Sequence, residues 1–95
     1  MSAMKSKDIQ LELKSIPKWS RRGQTLLRTY EFKEFMQGLQ FVTRVAKRAE
    51  KSQHHPDIDI RYNKVTLKLT THDEGGITDK DFAMARQCDE VYAKL

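Results

Sequence analysis

Apolar positions along the chain switch between strict alternation and a three-to-four spacing, and each switch marks a predicted element. Residues 7–14 place Ile9, Leu11 and Leu13 in a short run that suits a helix or an extended lead-in, closed by Pro17. Trp19 then stands alone in a polar setting, as a packing residue or a ligand platform, before the turn-like Ser20-Arg21-Arg22-Gly23. From Gln24 to Phe32 the pattern is that of a strand, with Leu26, Tyr30 and Phe32 on one parity, so a hairpin is expected over about 19–32. Lys33 to Lys51 reads as a helix. Its apolar stripe is Phe35, Leu39, Val42, Ala46 and Ala49, widened by Met36 and Val45.

Alternation returns at Ile58, Ile60 and Tyr62 and again at Val65, Leu67 and Leu69. A hairpin centred on Asn63-Lys64 sets Tyr62 opposite Val65, Ile60 opposite Leu67 and Ile58 opposite Leu69, with Asp59 facing Lys68 on the other side. A one-residue slip would break both faces. Carried outward, the same register sets His55 opposite His72. Asp73-Glu74-Gly75-Gly76 reads as a turn, with the glycine pair as an anion cradle the weaker alternative. Thr78 is then an N-cap with Asp81 at N3, opening a helix to about Lys94 that buries Phe82, Ala85, Cys88 or Val91, and Tyr92. Two hairpins, each followed by a helix, describe one small α+β domain over residues 1–95.

Composition narrows the class. With 38% hydrophobic and 33% charged residues the chain has the balance of a globular protein. No apolar run approaches the roughly 20 residues of a membrane span. Residues 1–10 lack the apolar segment of a secretory signal. The lone Cys88 cannot form an internal disulfide, suits a reducing compartment and reads as a core thiol rather than a nucleophile, so a cytoplasmic location is expected. The net charge of +5 raises nucleic acid as a partner, but the basic residues are scattered and aromatics are not interleaved among them, so direct nucleic-acid binding is not expected.

The chemistry gathers at Glu50-Lys51-Ser52-Gln53-His54-His55-Pro56. Pro56 biases His55 to extended backbone, and neighbours in extended chain point to opposite faces, so the doublet is poorly set to clamp one metal ion. A polar connector is the plainer reading of two histidines, but the arrival of His72 favours a site. Imidazoles titrate near neutral pH, at about 6.5, and proton transfer on a small bound molecule is the use that fits best. A metal site competes, without a His-Glu-x-x-His motif to support it. Glu50 is disfavoured by the dipole at a helix C-terminus. It is either a solvated surface carboxylate or an acceptor for His54, four residues on.

Glu50-x-x-x-His54-His55-Pro56, Tyr62-Asn63-Lys64-Val65, Thr71-His72, Gly75-Gly76 and Asp81 together resemble the pterin-4a-carbinolamine dehydratase family. So do Phe32-Lys33-x-Phe35 and Thr43-Arg44-Val45-Ala46-x-x-Ala49-Glu50 upstream. The resemblance implies a two-layer sandwich of two ββα units, a four-stranded antiparallel sheet with helices on one face, associating into homodimers or homotetramers. It implies a dehydratase that converts a 4a-hydroxytetrahydropterin to quinonoid dihydropterin plus water in tetrahydrobiopterin recycling, with no metal and no cofactor and a functional link to an aromatic amino acid hydroxylase. By the same resemblance His54 and His72 form the acid/base pair and His55 mainly binds substrate. Gln53, Pro56, Thr70, Thr71 and Asp73 surround the ring, held chiefly through backbone groups, and Glu50 orients His54.

Departures touch the fine contacts. Gln53 and Ile58 stand where some members carry an acidic residue and an aromatic, and Lys18 rather than glycine precedes Trp19. Some members of the family instead serve as partners, for a homeodomain transcription factor dimer or for assembly of a carbon-fixing enzyme. A non-catalytic assembly or dimerisation module is therefore the alternative to the enzyme.

Overall fold

In a computed structural model describing residues 2–95, three helices lie against one face of a four-stranded sheet. The elements are α1 (Ser6–Leu13), β1 (Ser20–Arg22), β2 (Thr25–Glu31), α2 (Phe35–Ser52), β3 (Asp57–Arg61), β4 (Lys64–Leu69) and α3 (Asp79–Ala93), with a 3₁₀ turn at His72–Glu74. Every strand pairing is antiparallel and the spatial order is β1-β2-β4-β3. Both hairpins are therefore present, joined through the central pair β2 and β4. The lead-in over 7–14 resolves as a helix that buries Ile9.

Alternation along the central strands separates the two faces. Leu26 and Tyr30 on β2 and Val65, Leu67 and Leu69 on β4 point to the helical side and are buried, whereas Thr29 and Thr66 bond each other at 2.8 Å on the open face. Arg28 also points inward. Its guanidinium stacks over the Tyr30 ring and bonds Asp89 of α3 at 2.7 Å. The same carboxylate oxygen accepts from Tyr30 Oη at 2.5 Å and from Trp19 Nε1 at 2.9 Å. Trp19 is thus a packing residue whose polar end is satisfied by α3.

Two details of packing differ from the pattern-based expectation. On α2 the buried positions are Gly38, Phe41, Val45 and Ala49. Phe41, absent from the expected stripe, is fully buried against Tyr30 and Phe32, with ring centroids 4.6 and 5.2 Å away. Phe35 and Met36 are instead exposed, and so is Ala46. The helix carries apolar residues on two sides, and Phe41 is the side chain that reaches the aromatic cluster.

The second difference is the β3–β4 register. Ile60 pairs with Val65, Ile58 with Leu67 and Asp57 with Lys68, so the loop is Tyr62-Asn63 and each partner lies two residues from its expected position. Asn63 explains the choice. Its Nδ2 donates to Phe32 O at 2.7 Å and its carbonyl accepts from Phe32 N at 2.9 Å, which pins the turn where β2 ends. Tyr62 takes the left-handed conformation there, at φ 51°. A shift of two keeps every side chain on its face, so the apolar pattern is equally satisfied. It does remove the direct opposition of His55 and His72.

Candidate active site

α2 ends in a way that turns the histidine doublet. Gln53 is left-handed (φ 53°), its N–H bonds Glu50 O at 3.3 Å, and the His54 N–H bonds Ala49 O at 3.1 Å. These are the two bonds of a Schellman cap, made on a residue other than glycine. The Gln53 side chain adds a bond to Glu50 O at 2.6 Å. The reversal swings His54 inward, where its side chain is 14% exposed, while His55, held extended before Pro56, is 55% exposed. The two imidazoles point apart, as extended neighbours must.

Each ring has its own carboxylate. His54 Nε2 lies 2.6 Å from Asp81 Oδ1, and His55 Nε2 bonds Glu50 Oε2. The expected pairing of Glu50 with His54 is therefore incorrect. The Schellman turn carries His54 under the start of α3, and the exposed Glu50 reaches the outward ring instead.

Asp81 is fully buried and organises several groups at once. Its Oδ2 accepts from Thr78 N at 2.9 Å, closing the capping box at the start of α3, and from Thr71 Oγ1 at 2.8 Å. Because Thr71 has one hydroxyl hydrogen, the 2.8 Å contact between Thr71 Oγ1 and Thr78 Oγ1 must be donated by Thr78. A carboxylate only accepts, so the hydrogen facing Asp81 sits on His54 Nε2. That leaves Nδ1 as the ring nitrogen without a protein partner among the described residues.

His72 arrives from the other side. Thr71 and Gly76 pair across a short bridge, N to O at 3.0 and 3.3 Å, and the loop between them winds into the 3₁₀ turn that begins at His72. Gly75 is left-handed at φ 74°. A Cβ on Gly76 would stand 2.7 Å from Gln24 Oε1. The glycine pair thus serves the turn.

These segments enclose a hollow of about 240 Å³ lined by Gln53, His54, His55, Thr70, Thr71, His72, Asp73 and Lys80. The three histidines meet there. Glu50 stands outside, behind His55, and Pro56 does not line it. Thr70 turns its hydroxyl to Gln24 O at 2.6 Å. Thr71 has its N–H, carbonyl and hydroxyl all bonded to protein, so it is a supporting residue with no free group for a ligand. Lys80 and Asp81 were not among the expected site residues. Asp81 was legible as a helix cap and as one residue of the family resemblance, but neither reading hints at the histidine it holds. Among the described residues no group of three His, Cys, Asp or Glu side chains is arranged to hold a metal ion.

Fold and site together define a small α+β domain with histidines gathered from two chain segments at one end of the sheet. The sequence profile described as Pterin 4 alpha carbinolamine dehydratase matches residues 2–91. A Thermomicrobium roseum protein, provisionally named a pterin-4-alpha-carbinolamine dehydratase, is 56% identical over 79 residues, covering 83% of this chain and 85% of its own length. One from Chloroflexus aurantiacus, named in the same provisional way, is 47% identical over 91 residues, covering 96% of this chain and 98% of its own. The chain belongs to the pterin-4a-carbinolamine dehydratase family. Among solved structures, a transcriptional coactivator/pterin dehydratase from Brucella melitensis superposes with a TM-score of 0.91 at 29% identity, covering 95% of this chain and 98% of that one. A pterin dehydratase-like RuBisCO assembly factor of the alpha-carboxysome shares the fold, with a TM-score of 0.67 at 22% identity over 78% of this chain and 88% of that one.

Proposed function

We propose that the chain dehydrates a 4a-hydroxytetrahydropterin to quinonoid dihydropterin. The observation that carries this reading is the meeting of His54, His55 and His72 around one hollow, with His54 fixed by a buried carboxylate. The hollow is slightly smaller than the roughly 300–1,000 Å³ of drug-sized sites, which suits a two-ring heterocycle whose side chain runs into solvent.

In the reaction the C4a–O bond breaks as the N5 lone pair forms a C4a–N5 double bond. A proton reaches the departing hydroxyl, which leaves as water, and the N5 hydrogen is lost to a base. The net change is loss of one water, with no oxidant or reductant. His54 keeps its Nε2 hydrogen on Asp81 and offers Nδ1 as the base. His72, whose ring has no protein partner among the described residues, is the acid. His55, braced by Glu50, contacts the substrate, and backbone groups of Gln53, Thr70, His72 and Asp73 with the Lys80 side chain border the ring. Each acid or base contributes on the order of 10²–10⁴ in rate.

Stopped-flow dehydration, with the carbinolamine supplied by an aromatic amino acid hydroxylase, tests this. His54→Ala and His72→Ala should each lose on the order of 10²-fold or more. Wild-type rates in both would refute the assignment. On this reading the chain works in tetrahydrobiopterin recycling, in the cytoplasm, without a cofactor.

The second reading, an assembly or dimerisation module, is favoured by exposed apolar residues on two elements. Phe35 and Met36 of α2 are 42% and 57% exposed, and Ile58 and Ile60 on edge strand β3 are each 38% exposed although they point to the helical side. Such a surface suits homodimer or homotetramer formation. Light scattering at micromolar concentration tests that association, with a monomer the contrary result. A dehydration rate no higher than the spontaneous one would favour the module over the enzyme.

A further inference from the structure

The flank of α2 turned towards α3 carries Arg44, Lys47, Arg48 and Lys51, which at about 100° per residue fall within one arc of the helix. Lys94, just beyond α3, adds a fifth cation. With Val91 these side chains line a cavity of about 370 Å³ that shares no residue with the histidine hollow. Glu90 bridges Arg48 at 3.0 Å and Lys94 at 3.4 Å, and these two partners hold its carboxyl below the usual range. Among the described residues, Arg44, Lys47 and Lys51 form no salt bridge. The C-terminus of α2 offers only about half a negative charge. Gathering like charges around a concavity costs Coulomb energy that scattering them would avoid, so an anion is the missing partner.

We propose that this cavity binds a small organic anion bearing several phosphate charges, of the nucleoside triphosphate class. Two guanidinium groups match phosphate oxygens in pairs, and lysines add point charges around them. Val91 and the methylene stems of the basic residues give the organic part an apolar wall. The volume is that of a small-molecule site. The other basic doublet, Arg21-Arg22, sits on edge strand β1 and does not extend the arc as a polynucleotide track would require.

Calorimetric titration of the full chain at low salt with ATP and with inorganic triphosphate tests this, alongside amide chemical-shift mapping. Both probes should bind, adenosine should not, and the shifts should concentrate at residues 44–51 and 91–94. Lys47→Gln combined with Lys51→Gln, both at exposed positions, should weaken binding by about tenfold and leave dehydration at the wild-type rate. Absence of binding by either phosphate probe, undiminished binding in the double variant, or shifts centred on residues 53–55 and 70–73 would each overturn the proposal. A duplex DNA oligomer that displaces triphosphate and binds more tightly would overturn it in favour of a polynucleotide ligand.

Discussion

Asp81 links the stability of α3 to the orientation of a histidine through one carboxylate. One oxygen accepts from Thr78 N and Thr71 Oγ1, and the other holds His54 Nε2. Asp81→Asn keeps the shape but turns one acceptor into a donor, which must then face either the cap or the imidazole. The buried mismatch should cost about 1–3 kcal/mol, read as a lower denaturation midpoint. Because the imidazole is positioned by this contact and does not bind substrate through it, kcat should fall about 10–100-fold with KM nearly unchanged, measured well below the midpoint. Thr78→Ala separates the two effects. It weakens the cap by about 1 kcal/mol and should leave kcat near wild type. Equal kcat values in the two variants would confine Asp81 to a structural role.

At the scale of elements, the β3–β4 turn shows what sequence pattern can and cannot resolve. Asn63→Ala deletes the bond to Phe32 O and should cost about 1 kcal/mol, lowering Tm by about 4–8 °C. The Phe32 contact was invisible to alternation, because a period of two is blind to a shift of two and long-range anchoring chooses between the registers. The same blindness affected α2. Periodicity marked Phe35, Leu39 and Ala46 and passed over Phe41, since a helix with two apolar sides does not announce which meets the sheet. Elements, order and the hairpin–helix repeat were legible because turns, caps and period changes are local. The gathering of the three histidines was legible as well, although the expected reason, direct opposition of His55 and His72, was not the one the structure shows. Loop closure by the Thr71–Gly76 bridge and the Schellman reversal at Gln53 bring them together. The carboxylate assignments were not legible, because they depend on which way that reversal turns each ring.

For the molecule as a whole, the core sets an alkaline limit on stability. Cys88 is fully buried, and desolvation, helped by the charge of Asp89, pushes its thiol up to about 12. Tyr30 is shifted upward too, by burial first and then by its bond to Asp89. Both groups are neutral when protonated, so the folded state holds protons that the unfolded chain releases once pH passes the ordinary thiol and phenol values of about 8.5 and 10. Their contribution is complete below that range and is lost as pH rises through it. Where only the unfolded state has ionised, each group lowers stability by about 1.4 kcal/mol per pH unit. Urea denaturation between pH 8 and pH 11 should therefore show a falling midpoint that steepens once the phenol of the unfolded chain ionises. Cys88→Ala removes one of the two titrations and leaves a small cavity. It should be less stable than wild type at neutral pH yet lose stability more slowly above pH 9. The two curves should converge as pH rises, and curves that stay parallel would show that Cys88 ionises as readily in the fold as outside it.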